Sequence, residues 1–189
     1  MTVLCSSRIC LIAAITLALP LSAKATSAPL VLDHAESHID IAVKSTVTSF
    51  TARLEKFEVA ITVGPESGRI ESTAFHAELA AVKTGREDRD RNMVAWLQAN
   101  QFPQVDFELK SMDRGPDGVL TASGLFRLHG QQHDLRFPLT VTVSNGSTLI
   151  DGTATLDTRD FGLPIIRFWL LTVDPVVHVH FHLKGSLSR

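Results

Sequence analysis

From Pro29 onward, apolar and polar residues alternate with a period of two along nearly every extended stretch. A strand with that pattern has one dry face and one wet face, so its dry face has to be covered by other strands. Ile39, Ile41 and Val43 oppose His38, Asp40 and Lys44. Phe57, Val59 and Ile61 oppose Lys56, Glu58 and Thr62, and Phe75, Ala77 and Leu79 oppose His76 and Glu78. Val105, Phe107 and Leu109 oppose Asp106, Glu108 and Lys110. Leu120, Ala122, Gly124, Phe126 and Leu128 form one face of the next stretch, and Leu135, Phe137, Leu139, Val141 and Val143 form one face of the stretch after it. At the end of the chain Val177, Val179, Phe181 and Leu183 oppose His178, His180, His182 and Lys184.

Turn chemistry separates these stretches: Gly64-Pro65 to Ser67-Gly68, residues 113–118, His129-Gly130, and Asn145-Gly146 where a tight hairpin belongs. The phase around Ile70 and Ser72 is offset from that of Phe75, which predicts a β-bulge. About eight short strands at this spacing predict an all-β fold, a sandwich or a barrel.

One stretch does not alternate. Residues 84–107 open on a mixed-charge run, Arg86 to Arg91. They continue with Met93, Trp96 and Leu97 at helical spacing and stop at Asn100, with Pro103 close behind. This reads as one short helix inserted into an all-β chain. A lone helix needs a surface to lie on, and the open end of a closed sheet offers one. The expected architecture is therefore an antiparallel β-barrel of about eight strands, lipocalin-like, with one short helix at a mouth. A barrel of that size is either filled by its own side chains or holds one small ligand. Alternation alone favours the filled core.

The beginning of the chain reads differently. Arg8 precedes an apolar run from Ile9 to Leu21, and Ala23-Lys24-Ala25 is a small-x-small cleavage site, as in a secretory signal peptide cut after Ala25. Residues 26–189 then form one domain. Cys5 and Cys10 leave with the signal, so neither disulfides nor thiol chemistry are expected afterwards. The net charge of −2 becomes more acidic once Arg8 and Lys24 are gone. With no basic stripe and no stacking platform, a nucleic-acid partner is not expected.

With these elements in order, the chain resembles the YceI-like family of secreted polyisoprenoid-binding barrels. The resemblance rests on Ser37-His38-Ile39, the Leu54 to Phe57 stretch, Thr84 followed by Arg89-Asp90, and Gln101-Phe102-Pro103 before a Val-x-Phe strand. It also rests on Gly124-x-Phe126-x-Leu128-His129-Gly130 and on Asp160-Phe161-Gly162. The helix start (Asn92-Met93) and Thr158 before Arg159 depart from the family's usual pattern. The resemblance implies a lipocalin-like periplasmic barrel whose apolar interior holds an isoprenoid-type lipid, an isoprenoid quinone among the candidates. It implies no catalysis and no other cofactor.

On that reading the lumen is lined by Ile39, Ile41, Val43, Phe57, Val59, Ile61, Phe75, Leu79, Val105, Phe107, Leu109, Phe126, Leu128, Phe137, Leu139, Val177, Val179 and Phe181. The ten phenylalanines and absence of tyrosine suit a hydrocarbon tail, which has nothing to hydrogen-bond. Head-group candidates at the mouth are Arg86, Arg89 and Arg91, with Trp96, Phe161 and Trp169 beside them. The plainer reading of the charge run is a solvated helix face with i,i+3 and i,i+4 pairs.

Residues 160–175 are apolar on both faces, with Arg167 the only charge between Asp160 and Asp174. Two readings stand: a strand buried on both sides or under the helix, or a greasy lip that makes transient membrane contact.

His178-x-His180-x-His182 supplies the alternative function, a periplasmic metal-binding module. Residues two apart on a strand point the same way about 6.6 Å apart, so His178 and His180 could share an ion if a neighbouring strand added a ligand. The plainer reading is a solvent-facing row. No Gly-x-Ser-x-Gly elbow, phosphate-binding glycine loop or His-Glu-x-x-His helix is present, and an enzyme is not expected.

Overall fold

The structure, a computed structural model, describes residues 27–64 and 69–188. Residues 1–25, read as a signal segment and holding both cysteines, and the turn expected at 65–68 lie outside the described residues. The strands run in order β1 (Ala28–Leu32), β2 (His38–Lys44), β3 (Ser49–Leu54), β4 (Glu58–Val63), β5 (Ile70–Glu78) and β6 (Val82–Lys83). Helix α1 (Glu87–Trp96) follows, then β7 (Gln104–Arg114), β8 (Leu120–Leu128), β9 (Gln131–Ser144) and β10 (Ser147–Asp157). A small hairpin of β11 (Arg167–Phe168) and β12 (Leu171–Thr172) precedes β13 (Val176–Leu187).

These strands close an antiparallel eight-stranded barrel in up-and-down order. Three of its eight staves are written in two pieces. β1 and β2 lie end to end along one edge of β13, Leu30 facing Leu187 and Ile39 facing Phe181. β3 and β4 form the next stave, on β2 and β1 respectively, and β5 with β6 the third. The break after β1 is an Asx turn in which the Asp33 carboxylate accepts from the backbone N–H groups of Ala35 and Glu36. β7 to β10 are single long strands, and β10 runs against the whole of β13.

The Asn145-Gly146 hairpin has both residues at positive φ, 51° and 77°, as a two-residue turn of primed type requires. The expected bulge is present: Thr62 faces Ser72 while Val63 faces Ile70, leaving Glu71 extra. A second bulge, not read from the sequence, sits at Lys110, between the Leu109–Gly124 and Ser111–Ser123 pairs.

Helix α1 is shorter than the 84–100 stretch implied. Its first turn carries Glu87, Asp88 and Asp90, which complement the positive end of the helix dipole. The backbone N–H and hydroxyl of Thr84 both donate to the Asp90 carboxylate, at 2.8 and 2.6 Å, fastening the preceding loop. No residue of the helix is fully buried. Met93, Val94 and Trp96 are half-buried against the core, while Leu97 and Ala99, just past its end, are buried. The helix therefore covers one end of the barrel and is anchored mainly by the residues that follow it.

Candidate functional site

Inside the barrel lies an apolar cavity of about 130 Å³. Every lining residue except Thr73 is hydrophobic. Five phenyl rings line it, three of them in a row: Phe107 lies 5.4 Å from Phe137, and Phe137 lies 5.5 Å edge-on from Phe181. Two of these rings are drawn back against glycines on the neighbouring strand. A Cβ on Gly124 would come within 2.5 Å of the Phe107 ring, and one on Gly152 within 2.2 Å of the Phe181 ring. The missing side chains let the rings lie against the wall, which leaves the middle of the lumen free.

Of the residues predicted for the lumen, Ile39, Val59, Ile61, Phe75, Phe107, Leu109, Phe126, Phe137, Leu139, Val179 and Phe181 line this cavity. The others do not. Leu79, Val105 and Leu128 are buried in the packed core, Ile41, Phe57 and Val177 are partly buried against it, and Val43 is half-exposed. Sequence reasoning missed Ile70, Thr73, Met112, Ala122, Leu135, Ile150, Ala154 and Leu183, all of which are cavity wall. Two bulges account for Ile70 and Met112, because an extra residue reverses the phase of the alternation, while Thr73 is in phase with Phe75 and carries no hydrophobic signal. Ile150 and Ala154 belong to an alternating run, Thr148, Ile150, Gly152, Ala154, Leu156, whose small members weaken the hydrophobic signal.

The end of the barrel under α1 is closed. After β10 the chain turns through a short 3-10 segment (Thr158–Phe161) and Gly162 at φ 71°, then inserts Phe161 and Leu163, which are 3% and 2% exposed. Phe161 packs edge-on against Phe126 at 5.5 Å and His133 at 5.1 Å. Its carbonyl accepts a hydrogen bond from Nδ1 of His129 at 2.9 Å. Trp96 Nε1 donates to the Pro164 carbonyl at 2.8 Å, tying helix to plug. The 160–175 segment thus divides between the two readings made of it. Phe161 and Leu163 are core, whereas Trp169 and Leu170, at the tip of the β11–β12 hairpin, are 94% and 87% exposed.

The mouth arginines are engaged with neighbours on or beside the helix and do not line the cavity. Arg86 pairs with Asp88 at 2.7 Å, Arg91 with Glu87 at 3.7 Å, and the Arg89 guanidinium sits 4.1 Å over the Phe50 ring. The Arg86 hydrogen bond holds the Asp88 carboxyl below its usual range. Asp157 is lowered in the same way by Arg159.

His178, His180 and His182 form a row on the outer face, opposite the lumen side chains of β13. His178 and His180 meet the hydroxyls of Thr155 and Thr153 at 3.1 and 2.9 Å. His182 Nδ1 lies 2.6 Å from the Asp151 carboxylate, and its ring stacks on His38 at 5.0 Å. The Nδ1 atom of each imidazole meets a different neighbour, and among the described residues no group of three His, Cys, Asp or Glu side chains is placed to hold a metal ion. The metal alternative gains no support. On the same outer face, the hydrogen bond from His76 to Asp106, at 2.7 Å, raises the His76 pKa.

A family model described as the YceI-like domain matches residues 30–185. Among solved structures, Burkholderia cenocepacia BcnA superposes with a TM-score of 0.73 at 18% identity, covering 82% of this chain and 99% of that one. A polyisoprenoid binding domain from Saccharophagus degradans, implicated in plant cell wall breakdown, gives 0.62 at 15% identity over 86% and 100%. A Campylobacter jejuni YCEI protein gives 0.59 at 13% over 73% and 84%. No curated protein matches the chain.

Proposed function

The chain belongs to the YceI-like family, and from that premise we propose that it is a non-catalytic carrier or store that holds an isoprenoid-type lipid in its barrel. The observation that carries this reading is the cavity, whose wall offers hydrocarbon at every position but Thr73. Such a wall selects tails and rejects polar solutes, because any polar group brought inside would lose its hydrogen bonds to water without replacement. Burial contributes about 0.8 kcal/mol per methylene-sized group, so one fully buried isoprene unit gains roughly 4 kcal/mol before the entropic cost of association. A chain of several units gains enough to bind with no polar anchor.

The volume bears on length. An apolar void of about 150 Å³ stays dry and takes up benzene, so a cavity of about 130 Å³ accommodates about one isoprene unit as it stands. A longer tail requires Phe107, Phe137 and Phe181 to turn aside. The lining supports an isoprenoid alcohol or an isoprenoid quinone equally, since both present the same branched tail. Residues 1–25 read as a signal that directs the barrel to the periplasm, where a water-filled space between two membranes would call for such a carrier.

Native mass spectrometry of untagged protein, followed by solvent extraction, tests the reading. A co-purified apolar lipid, or uptake of an added polyisoprenoid alcohol at one per chain, is the expected result. An empty barrel that takes up none overturns it.

A further inference from the structure

The same segment that plugs the barrel also carries its most exposed apolar residues. Trp169 and Leu170 form the tip of the β11–β12 hairpin, with Trp169 at φ +54°, a left-handed conformation that keeps the tip tightly turned. The β2–β3 turn stands beside it and adds Val47, which is 70% exposed. The two loops are laced together. Thr46 donates from its hydroxyl to the Leu170 carbonyl at 2.8 Å and accepts at that hydroxyl from the Thr172 N–H at 3.1 Å. The Thr46 N–H donates to the Thr172 carbonyl at 3.0 Å, and the Asp174 N–H to the Lys44 carbonyl at 2.8 Å. An isolated bridge joins Ser45 and Val173. Val47, Trp169 and Leu170 are therefore held out on one two-loop prong.

The tip side of the prong carries cations, and Asp174 stands at its base, where its carboxylate accepts from the Val176 N–H. No acidic residue occurs between Lys44 and Thr51 or between Phe161 and Val173, and the charges on those stretches are Lys44 and Arg167, both exposed. Among the described residues neither makes an ion pair with a carboxylate. In a chain whose net charge is −2, an apolar tip whose nearest charges along both loops are Arg167 and Lys44 is a local exception.

We propose that this prong docks the protein on an anionic lipid bilayer, Trp169, Leu170 and Val47 entering the interface while Lys44 and Arg167 meet the headgroup phosphates. A convex apolar tip ending in tryptophan suits a deformable apolar medium with a wet boundary, where the indole places its ring in hydrocarbon and its N–H in the headgroup layer. Basic residues beside an apolar insertion add attraction to an anionic leaflet. The proposal deepens the lipid-carrier reading and rests on it. Docking would bring the plugged end of the barrel to the membrane, with only eight residues of chain from Phe161 in the plug to Trp169 in the prong.

The test is flotation of the full chain with vesicles of phosphatidylcholine alone or mixed with phosphatidylglycerol. The wild-type protein should float with the mixed vesicles. A double variant, Trp169→Ser with Leu170→Ser, should bind them about tenfold or more weakly. Lys44→Gln with Arg167→Gln should lower binding to the mixed vesicles several-fold and, at raised salt, lose its difference from wild type. Uptake of a polyisoprenoid alcohol delivered from detergent, read in parallel, should be unchanged in both variants. If uptake succeeds but the wild type floats with neither vesicle, or the serine variant floats as well as wild type, the docking proposal is overturned while the lumen reading stands. Concentration-dependent dimerisation abolished by the serine variant, without vesicle binding, would overturn it in favour of a second copy as the occupant. Failure of uptake in the wild type strikes the lumen reading instead.

Discussion

The end of the barrel under α1 and the middle of its lumen are built from the same strands with the same alternation, yet one is solid and the other hollow. Under α1 the inward side chains of Leu54, Leu79, Val105 and Leu128 meet Leu97, Ala99, Phe161 and Leu163, supplied by connections folded into the barrel end. In the middle of the lumen no such connection arrives. The rings that could have filled it, Phe107 and Phe181, lie back over Gly124 and Gly152. Alternation decides which face of a strand is dry. Whether the enclosed dry volume is filled depends on what the loops bring and on where side chains are absent.

The largest effect should separate the two regions by stability. Phe161→Ala removes a buried ring from the packed end and should cost about 3–5 kcal/mol in urea denaturation. Phe137→Ala, in the hollow, should cost visibly less, because a ring bordering a void has fewer contacts to lose. Equal losses would mean that the hollow is as well packed as the plug.

Additions should behave in the opposite way. Ala154→Leu places carbon in the cavity and should leave stability within about 1 kcal/mol of wild type while blocking lipid uptake. Ala52→Leu, in the packed end, should cost about 1–3 kcal/mol through overpacking. Destabilisation of similar size at both positions would erase the distinction.

A smaller effect is expected from Gly152→Ala, whose methyl group meets the Phe181 ring rather than backbone. The ring should swing into the lumen, lowering affinity for an isoprenoid alcohol about tenfold at a cost of about 1 kcal/mol in stability.

The smallest concerns pH. The Asp106 hydrogen bond raises the His76 pKa in the folded protein, so this pair's contribution is complete below the unfolded value of 6.5 and fades as pH rises through the folded value. The Arg53 hydrogen bond lowers the Asp40 pKa, so that contribution is present above 3.8 and fades as pH falls through the folded value. Both pairs are on the outer face and stabilise the barrel as a whole. Titration should therefore shift both regions together, and His76→Gln should flatten the loss above 6.5 without altering the stability gap between Phe161→Ala and Phe137→Ala.

Much of the fold could be read from the residues. Strict alternation in 38–43 and 105–109, the Asn145-Gly146 turn and the phase offset at Ile70 each have a local physical cause that the sequence states outright. The bulge at Lys110 does not, because Lys110 fits the alternation of the residues before it and only the pairing with β8 shows it to be extra. Alternation carried on past Leu109 points to Ser111, whereas the residue that reaches the cavity wall is Met112. Residues such as Val105, Leu128 and Val177 carry the same inward signature as Phe107 and Val179. They differ only in lying where the helix end and residues 161–163 fold over them, a long-range contact that no period of two encodes. The 160–175 segment could not be assigned to core or surface from its hydrophobicity because it is both. Its first residues follow a 3-10 turn into the barrel, and its later ones are carried outward by a hairpin.

The central claim is that the free space among Phe107, Phe137 and Phe181 receives the tail of an isoprenoid lipid. Intermolecular NMR contacts between a bound polyisoprenoid alcohol and the aromatic side chains address it most directly. Contacts from the isoprenoid methyl groups to those three rings, lost in Ala154→Leu, are the predicted result. Contacts confined to the outer face or to Trp169 and Leu170, with the lumen rings unperturbed, would contradict it.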